Sequence, residues 1–115
     1  MIQRFGPSRL SSTRGRSVIY NGVVTTVATS DTKEASLYAQ AAEALAVIDR
    51  NLAEAGTDKS RILTAMVYIT DMRNKPELNR AWDEWVDRKN PPMRACLGVE
   101  LEAPHIVEIV VTAAK

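Results

Sequence analysis

The sequence is short of nearly everything that marks a specialised class of protein. It holds one cysteine and one histidine in 115 residues, so an internal disulfide is impossible and an all-Cys/His zinc site has too few ligands. Aromatic residues make up 5% of the chain. Trp82 and Trp85 have no aromatic companions on a strand, which assigns them to core and interface packing rather than to a base-stacking platform. Neither sign of charge dominates, because 15 Lys and Arg face 14 Asp and Glu for a formal +1; binding to nucleic acid or membrane through bulk charge is excluded. No run approaches the roughly eighteen apolar residues that span a bilayer, and Met1 to Pro7 lacks the apolar core of a secretory leader. The expected compartment is the cytoplasm. Glycine-rich phosphate loops, a Ser-His-Asp set, paired catalytic carboxylates, internal repeats and low-complexity tracts are also missing.

What is present is an ordinary globular composition, 45% hydrophobic and 25% charged, in a length suited to one domain over residues 1–115. A short strand is expected around Ile2 to Phe5, followed from Gly6-Pro7-Ser8 by a polar loop carrying Arg9, Arg14 and Arg16. Val18-Ile19-Tyr20 and Val23 to Val27 are β-branched runs around Asn21-Gly22, a dipeptide that accepts the positive φ angles of a type I′ turn; they form a hairpin. Ser30 or Asp31 caps the next helix, with Glu34 three residues after Asp31, and Gly56 stops it. Leu37, Ala41, Leu45, Ile48 and Leu52 recur on one stripe of this helix, about six turns long.

Arg61 to Thr70 reads as a strand with Leu63, Ala65, Val67 and Ile69 on one face. Pro76 opens a second helix through Leu78, Trp82, Trp85, Val86 and Lys89, which Asn90-Pro91-Pro92 ends. Strands over Met93 to Val99 and Ile106 to Ala114 follow, joined by a loop with Ala103-Pro104. The order β-ββ-α-β-α-β-β predicts an α+β fold of two layers, a mixed sheet with two helices on one face. Two helices cover one side of such a sheet, so the apolar opposite side predicts a homo-oligomer.

Candidate chemistry concentrates near the C-terminus. Alternation along Met93 to Val99 puts Arg94, Cys96 and Gly98 on one face, a guanidinium beside a thiol. Glu108 interrupts an apolar run from Ile106 to Val111, where an unpartnered buried carboxylate costs on the order of 2 kcal/mol or more. Two readings fit. Arg94 and Glu108 form a structural ion pair or emerge separately at the sheet surface; or Arg94 grips a substrate carboxylate while Glu108 handles protons beside it. Cys96 reads as a small buried hydrophobe with no base near it in sequence. Asn79, on the second helix, is either an exposed polar residue or a hydrogen-bonding group for a ligand. His105 lies in a turn-like loop and reads as exposed.

Over nearly its whole length the chain resembles the Rid family, the YjgF-type reactive intermediate deaminases. The resemblance is carried by Ala39-Gln40-Ala41 with Ile48 and Ala53-Glu54-Ala55-Gly56, by Ile62 to Met72, and by Leu78-Asn79 with Trp82 and Trp85. Its most specific parts are Pro92-x-Arg94-x-Cys96 and Val107-Glu108-Ile109. It implies a chorismate-mutase-like fold assembled as a homotrimer, with ligand clefts between neighbouring subunits. It also implies hydrolytic deamination of 2-imino or enamine acids to 2-keto acids and ammonia without a cofactor or metal, a role in metabolite damage control. Arg94 would hold the substrate carboxylate and Glu108 would position water and move protons, as the catalytic pair. Asn79 and Cys96 would line the cleft. Where many relatives have Ser-Gly after the hairpin this chain has Val27-Ala28, and near the place of a relative's aromatic residue it has Arg14; these three residues complete the expected substrate-binding set. The loop before the first helix is expected to be short, about Ser30 to Lys33, as in the shorter, less characterised branches of the family. The competing reading is a non-catalytic trimer that uses the same cleft to bind small carboxylates or partner proteins. Ribonuclease activity, sometimes attributed to the family, is disfavoured by the +1 charge and by the lack of a histidine pair.

Overall fold

Backbone hydrogen bonding in the computed structural model, which describes residues 1–115, defines six strands and two α-helices. They are β1 (Gln3–Phe5), β2 (Ser17–Tyr20), β3 (Val23–Ala28), α1 (Leu37–Glu54), β4 (Ile62–Ile69), α2 (Lys75–Trp85), β5 (Met93–Gly98) and β6 (Val107–Ala114). The strands form one sheet in the order β1-β2-β3-β6-β4-β5. Neighbours are antiparallel except β4 and β5, which are parallel and joined through α2. Both helices pack on the same face, so the expected α+β two-layer arrangement is the observed one.

The hairpin forms as its turn dictates, with Asn21 at φ 50° and Gly22 at φ 75°, both in the region a type I′ turn requires. The first helix starts later than its sequence signals imply. Ser36 is its cap, its Oγ accepting from Ala39 N at 3.1 Å. Ser30 instead donates to Thr32 O at 2.8 Å, and the Asp31 carboxylate is held by Arg9 and Arg50. The connection from the hairpin therefore runs over residues 29–36, and α1 has 18 residues, about five turns. Its C-terminus closes as expected: Gly56 has φ 85°, and Thr57 N donates to Leu52 O while Gly56 N donates to Ala53 O, the paired bonds of a Schellman stop.

Leu37, Ala41, Leu45, Ile48 and Leu52 are all buried beneath α1 against Val24, Val67, Ile109 and Val111 of the sheet. On β4 a register shift between Ile62 and Thr64 turns Ile62 into the core and leaves Leu63 51% exposed, which corrects the simple alternation that put Leu63 inside. The second helix ends at Trp85, short of Lys89, because Val86 turns extended at φ −61° and ψ 145°. Lys59 Nζ takes up the Trp85 carbonyl at 2.6 Å and lies 5.2 Å from that ring's centroid. Trp85 Nε1 donates to Asp49 Oδ2 at 2.9 Å and so ties α2 to α1.

The face of the sheet away from the helices has no second layer. Val27, Met66, Val110 and Thr112 lie half-buried along its centre, with Leu97 exposed near the β5 edge. Across β3, β6, β4 and β5 its single charged side chain is Glu108.

Candidate functional site

The expected site residues fall into two groups: Arg94, Cys96 and Asn79 on the helix face at β5, and Arg14, Val27, Ala28 and Glu108 around a separate pocket in which Val27 and Glu108 point to the open face and Ala28 to the helices. The first group sits where β5, the edge strand, meets α2. Pairing of Arg94 with Ala65 and of Cys96 with Val67 turns both side chains to the helix face. Buried Leu78, Ala81 and Trp82 fix the rotation of α2, and that rotation sets Asn79 over the strand. Arg94 Nη2 donates to Asn79 Oδ1 at 2.9 Å, and the guanidinium carbon stands 5.3 Å from the centroid of the Trp82 ring. A guanidinium has five N–H donors, and Arg94 gives one to the protein. The ion pairs of the chain are Arg9 and Arg50 with Asp31, Arg16 with Glu54, and Arg73 with Asp71, so Arg94 is a half-buried, oriented cation without a carboxylate. Cys96 is a free, half-buried thiol packed at the edge of the core.

The second group contains Arg14, Val27, Ala28 and Glu108, which line one open pocket of about 740 Å³. It lies between the arginine loop, the end of β3, the connection to α1, the C-terminal half of α1 and the start of β6. Glu108 pairs with Tyr68 in the sheet and is half-buried on the open face. The structural ion pair with Arg94 does not occur, since the two side chains leave opposite faces of the sheet. His105 also differs from expectation. It is half-buried in the pocket wall, and its Nδ1 is buried with no hydrogen-bond partner.

Four sets of contacts hold this pocket open. Arg9 and Arg50 converge on Asp31 at 2.6 and 2.7 Å, which fastens the arginine loop and the connection to α1. Arg16 grips Glu54 through two parallel bonds of 2.9 and 2.7 Å; the guanidinium holds the Glu54 carboxyl below its usual pKa, and the carboxylate raises that of Arg16. Beneath the loop, Thr26 Oγ1 receives bonds from Ser17 Oγ at 2.8 Å and Asn51 Nδ2 at 2.9 Å, and itself donates to Arg16 O at 2.8 Å. Gln40, 1% exposed, donates to Glu34 O and Pro104 O and accepts from Ile106 N, at 2.7, 2.8 and 3.0 Å. It thereby ties α1 to the segment that presents His105 and Glu108. Sequence reasoning assigned no role to Gln40 or Asn51; the available signal was a polar residue standing within an apolar helical stripe.

No helix is long and apolar enough to cross a membrane. The family model described as Endoribonuclease L-PSP matches residues 8–115. A RutC family protein of Haemophilus ducreyi is 48% identical over 100 residues, covering 84% of each chain. The RutC family protein YoaB of Escherichia coli is 34% identical over 98 residues, 84% of this chain and 86% of that one. The crystal structure of NMB1025, a YjgF family member from Neisseria meningitidis, superposes with a TM-score of 0.91 at 36% identity over 100% of this chain and 95% of that one. By this match and these identities, the chain belongs to the Endoribonuclease L-PSP family, the family of the YjgF, Rid and RutC proteins.

Proposed function

We propose that this protein is a deaminase that hydrolyses 2-imino acids to 2-keto acids and ammonia in a cleft between two copies of the chain. Family membership supports a Rid-type role, and the observation that carries the finer reading is the state of Arg94. Its charge is held by Asn79 and the Trp82 face but answered by no carboxylate. A cation fixed in this way is suited to a two-point grip on a carboxylate. Glu108 opens from the other side of the sheet, so a head-to-tail contact between copies brings the two groups together. The homotrimer implied by the resemblance is one such assembly.

In the proposed reaction Arg94 receives the carboxylate of the imino acid. Glu108 of the neighbouring copy takes a proton from water as the water oxygen bonds to the imine carbon, and hands that proton to the imine nitrogen to give a carbinolamine. Glu108 then takes the carbinolamine hydroxyl proton and delivers it to the nitrogen as the carbon–oxygen double bond forms and the carbon–nitrogen bond breaks, releasing ammonia and the keto acid. Atoms and charges balance with water as the other reactant. Imines already hydrolyse in water, so the demand on the protein is orientation and charge placement.

The test uses imines generated in situ by an amino-acid oxidase, with short, branched and aromatic side chains. Arg94→Ala is expected to lower kcat/KM about 100-fold through loss of a charge-assisted grip, and Glu108→Gln about 10²- to 10⁴-fold through loss of a general base. Turnover no faster than in buffer, from folded and assembled wild-type protein, would overturn the deaminase. Carboxylate binding that survives without turnover would then identify a binding module.

A further inference from the structure

The pocket at Glu108 has a charge pattern that the chemistry above does not use. Five cationic side chains line it, Arg9, Arg14, Arg16, Lys33 and Arg50, against the carboxylates of Asp31, Glu54 and Glu108. The whole chain carries a formal +1, so the excess of two positive charges in the lining is a local concentration. Three of these cations are committed, Arg9 and Arg50 to Asp31 and Arg16 to Glu54. The side chains of Arg14 and Lys33 have no ion pair or hydrogen bond within the chain. They line the same pocket as Glu108, and Val27, Ala28 and Val47 give it a small apolar wall.

We propose that this pocket selects imino acids carrying a second carboxylate, with Arg14 and Lys33 receiving the distal group and Val27, on the same face of the sheet as Glu108, bordering the methylene spacer. The choice of an imino acid rests on the deaminase reading above; the demand for a second anion rests on the two unpaired cations. A volume of about 740 Å³ lies within the roughly 300–1,000 Å³ range of small-molecule sites. Glu108 in the lining repels a dianion, and the unpaired charges of Arg14 and Lys33 in the same lining oppose that repulsion. Paired Arg9, Arg16 and Arg50 screen their own carboxylates and leave Arg14 and Lys33 as the attractive groups.

Calorimetric titration of the assembled protein with 2-oxoglutarate and with 2-oxohexanoate reads this selection. Both carry the 2-oxo carboxylate of a deamination product, and only the first has a second carboxylate. The wild type is expected to bind 2-oxoglutarate about tenfold more tightly or better, the size of one good charge-assisted bond. The double variant Arg14→Gln with Lys33→Gln, both exposed positions, is expected to bring the two affinities to parity. Arg94→Ala is expected to weaken both ligands alike. Equal affinities in the wild type, no binding of 2-oxoglutarate, or a preference that survives the double variant would overturn the proposal. Equal affinities in a protein that hydrolyses neutral imines would refute the selection alone; a preference for 2-oxoglutarate in a protein that hydrolyses no imine would refute the deaminase alone.

Discussion

Gln40 decides where one wall of the pocket stands. A buried amide with three partners is strongly placed, and replacing it leaves Pro104 O and Ile106 N without the bonds they make to α1. Gln40→Leu keeps the bulk and removes the bonds, so it is expected to cost about 2 kcal/mol or more in urea denaturation, the penalty of stranded backbone groups. A loss below about 0.5 kcal/mol would show that these groups find other partners. At this scale the sequence was legible in part. Alternation correctly grouped Arg94 with Cys96, but the side of the sheet that each strand's residues face depends on register. Arg94 lies opposite Ala65 and Glu108 opposite Tyr68, residues an odd number apart on β4, and so the two point apart.

Among the elements, those set by local chemistry were readable and those set from a distance were not. The Asn21-Gly22 hairpin and the Gly56 stop each depend on a few neighbouring residues and fall where expected. The start of α1 does not. Ser30-Asp31 and Ser36 both offer capping groups, and the choice is made by Arg9 and Arg50, which draw Asp31 into another role. Ser36→Ala is therefore expected to cost about 1 kcal/mol, measured by denaturant unfolding followed by helical circular dichroism. No loss on Ser36→Ala would return the cap to the earlier residues. The early end of α2 has the same cause, since Lys59, from before β4, takes the last carbonyl. The shift that exposes Leu63 is a bulge, which strict alternation cannot register.

As a whole the molecule is a slab, 41 by 36 by 19 Å, with helices on one side and bare sheet on the other. The order of elements made the uncovered face foreseeable, because two helices are too few to cover six strands on both sides. It did not reveal that the two halves of the candidate site would open in opposite directions. A contact that joins unlike faces closes into a ring where its rotation allows, whereas a twofold contact would set each half against itself. Each cleft in such a ring takes its arginine from one chain and its glutamate from the next. Two dead proteins should then make a live one. Arg94→Ala and Glu108→Gln chains, each inactive alone, are expected to regain activity when unfolded together and reassembled from equal amounts. By chance pairing, about one quarter of the clefts receive both intact residues. Refolded singly, each stays inactive; a mixture that also stays inactive would place both residues of every working site on a single chain. Loss-of-function alleles of this gene would, by the same geometry, fall into two classes that rescue one another.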